Sequence, residues 1–257
     1  MLEVKDIYKS YDAGTVYEKC LFNGFSLSVP TGQFVSVVGS NGSGKTSLLN
    51  IICGSIPIDQ GKVMIDGRDI TREREFVRSR LIGRVYQNPA MGTCANMTML
   101  ENLSLAEHKG RKSNLRPGTD RKRVGAYRDM LARLNLGLED MLETRMGNLS
   151  GGQRQAVALL MSTMTPISFL ILDEHTAALD PKTADVIMRL TDEVVREKKL
   201  TAIMVTHNLR YAVEYGDRIL MMHAGQAVID RADKEKKDVS IDDLLKVFNE
   251  ISIERGN

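Results

Sequence analysis

The sequence predicts an α/β fold around a largely parallel sheet, on three observations. "FVSVVG" (34–39) is nearly all apolar, as a strand covered on both faces must be. Two more apolar runs, "ISFLILD" (167–173) and "LTAIMVTH" (200–207), flank the helical pattern "KTADVIMRLTDEVVREKK". A chain of 257 residues with ordinary apolar and charged content can bury a sizeable core, as one large α/β domain or two compact lobes.

Taken in order, "MLEVKDIYKSY" is charged and strand-like, with no apolar core of a signal peptide. "FSLSV" alternates Phe25, Leu27 and Val29 with Ser26 and Ser28, a half-buried strand closed by a Pro-Thr-Gly turn. "GKTSLLNIICG" reads as a helix ending at Gly54, "GKVMIDGRDIT" as a short strand and turn, and "LIGRVYQ" as another strand. From about Asn88 to Pro166 the pattern is helical, in "TMLENLSLAEHKG", "DRKRVGAYRDMLARLNL" and "GQRQAVALLMSTM". "RILMMHAGQAVID" forms a hairpin across Ala224-Gly225. Ser240 and Asp243 make a capping pair, after which Ile241, Leu244, Leu245, Phe248 and Ile251 share one helical face.

Composition narrows the function. A formal net charge of +2 does not argue for nucleic acid or a membrane surface as the main partner, and few aromatics and no Trp leave little to stack single strands on. No apolar run approaches the roughly 18 residues of a membrane span, so a cytoplasmic chain is expected. Cys20, Cys53 and Cys94, odd in number and far apart, are expected to be reduced thiols. The basic stretch "KGRKSNLRPGTDRKR" is either a solvated loop or a contact for an acidic partner.

Two motifs carry chemistry. "GSNGSGKT" fits the phosphate-loop pattern G-x-x-x-x-G-K-[ST] and lies between a buried strand and a helix, the context that gives the pattern meaning. Gly39, Ser40, Asn41, Gly42, Ser43 and Gly44 let successive N–H groups curve around a β-phosphate, and the helix from Lys45 through Thr46 and Ser47 adds the positive end of its dipole. Lys45 reaches the β/γ oxygens and the Thr46 hydroxyl binds Mg2+. "FLILDEH" ends an apolar strand in two carboxylates: Asp173 for the magnesium shell, Glu174 to polarise a water attacking the γ-phosphate. Helix capping, the bland role for both carboxylates, loses weight beside a phosphate loop.

"LSGGQRQ" (149–155) is a polar, glycine-bearing turn set against the apolar helix "AVALLM". Followed by "LILDEHTAALD", it resembles the signature and Walker B segments of ABC-type ATPases, and the resemblance covers essentially the whole chain. It implies a single ABC ATPase domain over 1–257, a P-loop ATPase with a RecA-like mixed sheet core, an antiparallel β subdomain and an α-helical subdomain. Residues of about 1–87 and 167–257 would form the core with the β subdomain, and about 88–166 the helical part. It implies ATP and Mg2+ as ligands and a homodimer in which Ser150, Gly151, Gly152 and Gln153 of one copy face the γ-phosphate held by the other. By the same resemblance Gln87 is the Q-loop glutamine at magnesium and the attacking water, His207 the switch histidine at the γ-phosphate, and Asp180 the D-loop aspartate at the dimer interface. Tyr11 matches the aromatic that stacks on adenine; Tyr8 and Tyr17 are close, and simple packing is the alternative role for any of the three.

The segment after Gln87 and the run "EHTAALDPKTA" are similar to a small branch of importer ATPases for tryptophan, tyrosine and related solutes, whose permeases resemble those for branched-chain amino acids. The expected partners are integral-membrane permease subunits on the inner face of the membrane and an extracytoplasmic solute-binding protein, with no nucleic acid. "GSGKTSLLN" is also similar to lipoprotein-release and macrolide-efflux ATPases, so export stands as the alternative direction. Two functions outside transport remain to be weighed. One is a soluble ABC ATPase of DNA repair or translation, for which a second ATPase domain or a coiled-coil insertion is missing. The second is a nucleotide sensor.

Overall fold

The computed structural model describes residues 1–12, 14–111, 118, 119 and 121–254, with side chains as far as residue 250. Two sheets share the chain. The smaller is antiparallel, in the order β2-β1-β4-β5, from Leu2–Tyr11 (β1), Lys19–Val29 (β2), Gln60–Ile65 (β4) and Arg68–Asp69 (β5). The larger runs β10-β9-β3-β8-β7-β6, from Gln226–Ala232 (β10), Arg218–His223 (β9), Phe34–Gly39 (β3), Ala202–Val205 (β8), Phe169–Asp173 (β7) and Ile82–Val85 (β6). Its pairings are parallel except β10 on β9.

The apolar runs lie between two cores. On β7, Phe169 and Ile171 pack with the small sheet and with α1 (Lys45–Cys53). Leu170 and Leu172, one residue out of step, pack with the helices on the opposite side. Strand β8 divides in the same way, Ile203 and Val205 against Ala202 and Met204. Alternate side chains leave a strand on opposite faces, so a strand with a core on each side is apolar almost throughout; Ser36 of β3, whose hydroxyl donates to the Tyr215 carbonyl, and Asp173 at the end of β7 are the exceptions. That is why β3, β7 and β8 show no alternation in sequence. The first strand pair does show it: Phe25, Leu27 and Val29 are buried and Ser26 and Ser28 exposed.

The helices of the second core are α3 (Met99–Glu107), α4 (Val124–Ala132), α5 (Gly151–Thr163) and α6 (Pro181–Glu197). Thr98 and Glu101 cap α3 reciprocally. The long basic segment before α4 is covered only in part, since 112–117 and 120 lie outside the described residues. The hairpin turn is as expected, with Ala224 at φ 47° and Gly225 at φ 76°, the two positive values that a two-residue type I′ turn requires.

The C-terminal helix α9 (Ile241–Glu254) has the Ser240–Asp243 cap, but its buried face is turned from the expected one. Leu244 is fully buried, with Val247 and Phe248 packed beside it, whereas Ile241 and Leu245 stay exposed. The helix touches its neighbours along a narrower stripe than five apolar residues suggest. The side chain of Ile251 lies outside the described residues. Three short helices have no counterpart in the sequence pattern: α2 (Glu75–Arg78), α7 (Leu209–Glu214) and α8 (Asp233–Lys237). Each is too short for an apolar period to register.

Candidate functional site

Strands β3, β7 and β8 end side by side, and their C-terminal ends bring the chemistry together, as open parallel sheets do. After β3, the loop Gly39–Gly44 bends back through Gly42 (φ 76°) and Gly44 (φ 102°), and α1 begins at Lys45. A Cβ on Gly39 would sit 2.2 Å from the carbonyl oxygen of Met222 on β9, so only glycine fits there. Lys45 is buried, and its Nζ donates to the Gly39 and Ser40 carbonyls at 2.8 and 2.9 Å. Burial pushes its pKa below the usual lysine range, and the negative charge of Glu174 opposes that shift. An ammonium folded into a ring of small residues, with a helix start behind it, is built for a phosphate chain.

The β9–β10 hairpin closes the loop from behind. Gly225 N–H donates to the Ser43 carbonyl at 3.0 Å, and Ser40 Oγ lies 3.4 Å from His223 Nδ1. No local pattern announces this support, because His223 follows Ser40 by 183 residues.

Asp173 ends β7, and Glu174 follows in the left-handed region at φ 47°, its N–H bonded to the Val205 carbonyl of β8. A non-glycine residue there is strained by about 1–3 kcal/mol and must be held by its surroundings. His207, just past β8, donates from Nε2 to Glu174 Oε1 at 2.7 Å. The histidine is half exposed and the carboxylate largely shielded, at 47% and 14%. Behind Glu174, His175 is fully buried and bonded through Nε2 to Thr191 Oγ1 at 3.0 Å. The Thr191 hydroxyl gives its proton to the Ile187 carbonyl, so the imidazole carries its proton on Nε2. Burial pushes the His175 pKa down to about 4, which keeps the ring neutral. The sequence reading missed this pin from the strand end to α6; a histidine directly after two carboxylates was the available signal.

Asp173 is not alone either. Its Oδ2 accepts from Arg84 Nη2 at 2.7 Å, an ion pair shielded from solvent on both sides. Gln87 is exposed just beyond β6, and Thr46 is exposed at the first turn of α1. Tyr11, at the end of β1, is partly exposed, with the Lys9 ammonium 5.5 Å from its ring centre; Tyr8 and Tyr17 are exposed as well.

The glycine turn is built differently. Ser150 caps α5: its Oγ accepts from Gln153 N–H at 3.3 Å while Gln153 Oε1 accepts from Ser150 N–H at 3.1 Å. Arg154 N–H starts the helical ladder on the Ser150 carbonyl. The Gly151 and Gly152 N–H groups fall in the first turn, where a helix offers them no acceptor. A Cβ on Gly152 would also meet Thr183 Cγ2 of α6 at 2.2 Å, so that glycine is needed for packing as well. Asp180 caps α6 by accepting from Thr183 N–H, and that residue's hydrogen bonds lower the Asp180 pKa. Among the described residues, the contacts of the turn run to α6, to its own helix and, through Arg154 and Gln155, to the Met146, Gly147 and Tyr86 carbonyls, and these hydrogen bonds do not reach the phosphate loop of the same chain.

Among the described residues no three His, Cys, Asp or Glu side chains cluster as a metal cage. The donors present are a hydroxyl, a carboxylate and an amide near a phosphate loop. They suit Mg2+, which keeps waters and binds through one or two protein oxygens plus nucleotide phosphates.

A nucleotide-phosphate loop after β3 of a mixed sheet, with an acidic pair at the end of β7 one strand further on, beyond β8, defines a P-loop ATPase. Comparison with known proteins sharpens this. The ABC transporter family profile matches residues 22–177. The tyrosine transport ATP-binding protein of Clostridioides difficile is 43% identical over 248 residues, 96% of this chain and 98% of the relative. A phosphonates import ATP-binding protein of Alcaligenes faecalis is 35% identical over 90% of this chain and 82% of its own length. Among solved structures, an ATP-binding cassette of an ABC transporter in its ADP conformation superposes with a TM-score of 0.80 at 27% identity, covering 100% of this chain and 99% of its own. A dimeric cassette in a post-hydrolysis state with ADP and Pi superposes with a TM-score of 0.76 at 28% identity, covering 90% and 98%. The chain belongs to the ABC transporter family: it is an ATP-binding subunit that hydrolyses ATP.

Proposed function

We propose that this ATPase energises uptake of a small solute, an aromatic amino acid before others, through a separate membrane permease. The kinship with a tyrosine transport ATPase and with importer ATPases supports both the direction and the solute class. Two copies would close on Mg2+-ATP and reopen after hydrolysis, with the exposed ground around Gln87 passing the movement to the permease. The chain would then sit on the cytoplasmic face of the membrane, served by a solute-binding protein outside. In keeping with this, among the described residues no helix is long and apolar enough to cross a membrane. The chain would act as one ATPase domain, with the helices of about 88–166 as its moving part.

The residue roles proposed are those that the phosphate-loop chemistry and the family resemblance imply. Backbone N–H groups of Gly39–Ser47 and the Lys45 ammonium hold the phosphates, and Tyr11 stacks on the adenine. Thr46, Asp173 and Gln87 hold Mg2+, which when bound neutralises charge on the β- and γ-phosphates. Glu174 takes the proton of the attacking water. His207 keeps that carboxylate aimed and reaches the γ-phosphate from the same spot. Ser150, Gly151, Gly152 and Gln153 of the second copy cover the γ-phosphate, with Asp180 at the junction between copies. The dimeric cassette found among the structural neighbours supports this arrangement.

The carrying observation is the convergence of Lys45, Glu174 and His207 from three separate strand ends on one spot. Glu174→Gln tests it. The amide keeps size and shape but cannot take a proton, so turnover falls by about 10²–10⁴-fold. ATP binding persists and a dimer accumulates on ATP, visible by light scattering after gel filtration. Hydrolysis at the parent rate would remove Glu174 from the role.

A further inference from the structure

We propose that Arg84 is the positioning residue for the Asp173 carboxylate and ties it to the phosphate-loop helix and to the chain that leads to Gln87. The proposal rests on the reading of Asp173 as a magnesium-shell residue.

Arg84 lies on β6, opposite Ile171 of β7, and its side chain points into the protein: only 11% of it is exposed. Its guanidinium serves two acceptors at once. Nη1 donates to Asn50 Oδ1 on α1 at 2.9 Å and Nη2 donates to Asp173 Oδ2 at 2.7 Å. Asn50 is itself fixed, since its carbonyl accepts from Gly54 and Ser55 at the end of α1. The guanidinium also lies 4.6 Å from the ring centre of Tyr86. The main chain here is pinned to α5: the Arg84 carbonyl accepts from Ser162 Oγ at 2.9 Å and the Tyr86 carbonyl from Gln155 Nε2 at 3.2 Å. One side chain thus joins the helix after the phosphate loop, the strand-end carboxylate and the residues just before Gln87, on a segment bonded to the helix that starts at the glycine turn.

The geometry suits arginine and little else. Two acceptors on different elements need a planar fork, whereas lysine offers a point charge that serves one of them well. Arg84 Nε is buried without an acceptor, so the guanidinium is placed for Asn50 and Asp173 rather than for the largest number of bonds. Holding Oδ2 fixes the plane of the Asp173 carboxylate, and with it where Oδ1 lies. The positive charge also lets a carboxylate sit shielded from water before any cation arrives. Outer partners of this kind orient metal-site oxygens in many proteins.

The test compares the full chain with Arg84→Gln, Arg84→Lys and Asp173→Asn by titrating a fluorescent ATP analogue, once in EDTA and once in Mg2+. Arg84→Gln should bind the analogue in EDTA within about twofold of the parent, yet lose about tenfold or more of the tightening that Mg2+ gives. At saturating Mg2+-ATP its kcat should fall by a similar factor, and its KM for Mg2+-ATP should rise in step with the lost tightening. Arg84→Lys should regain part of the Mg2+ effect and still fall about threefold short; it carries the test if the glutamine variant does not fold. Full Mg2+ tightening in both Arg84 variants with loss in Asp173→Asn overturns the Arg84 assignment and leaves Asp173 in place. Equal weakening in EDTA and in Mg2+ also overturns it, because Arg84 would then only prop α1. Full tightening in Asp173→Asn overturns the reading of Asp173, and Arg84 goes with it.

Discussion

The phosphate loop and the glycine turn at Leu149–Gln155 are both polar, glycine-bearing starts of helices, yet the chain treats them in opposite ways. The phosphate loop is enclosed. Its lysine is tied to the loop carbonyls, β9 lies hard against Gly39, and the hairpin tip bonds Ser43. Glu174 and His207 complete its surroundings from neighbouring strands. The glycine turn is capped by its own serine and glutamine, and the side chain of Arg154 folds back onto the Met146 and Gly147 carbonyls. A helix start with amides to spare and no ligand partner at hand is half of a site. The chain thus builds one complete phosphate cradle and one open lid, and in the proposed dimer the lid of one copy fits the cradle of the other.

Two glycine substitutions sharpen the contrast. At Gly39 the obstacle is backbone, the Met222 carbonyl oxygen 2.2 Å from a new Cβ, and backbone in the middle of a sheet cannot give way. Gly39→Ala should destabilise the fold by about 4 kcal/mol or more and abolish ATP binding, with no second substitution restoring either; chemical denaturation and nucleotide titration measure both. At Gly152 the obstacle is a side-chain methyl, Thr183 Cγ2. Gly152→Ala should cost about 1–3 kcal/mol, and Thr183→Ser, which removes that methyl, should restore the stability. Turnover should remain low in the double variant, because the added methyl still crowds the amides offered to the partner's nucleotide. Recovery of turnover along with stability would mean that Gly152 serves packing alone.

The same contrast explains what was legible in the sequence. The phosphate loop and the acidic pair are contiguous runs whose chemistry is fixed by spacing, so "GSNGSGKT" and "FLILDEH" announce themselves. The strands between two cores were legible for a related reason: burial on both faces leaves almost no polar residues in them. Contacts between distant segments were not legible. Arg84 reads as one polar residue in a short strand, and only the fold brings Asn50 and Asp173 to its two nitrogens. Gly152 reads as a loose turn residue until α6 places Thr183 against it. His175 shows its purpose only when Thr191, 16 residues further on and inside α6, comes within reach. The apolar residues of α9 were recognised, but which of them face inward depends on where Val38, Ala212 and Ile219 lie.

The claim that the cradle and the lid come from different copies has one most direct test. Lys45→Ala spoils the cradle and leaves the lid intact; replacing Ser150 with arginine spoils the lid and leaves the cradle intact. Each variant alone should be nearly inactive. Mixed, they can pair so that an intact cradle meets an intact lid, and ATP hydrolysis should rise well above the sum of the two preparations. A mixture no more active than its components, or a Ser150→Arg chain that hydrolyses ATP like the parent, would contradict the shared site.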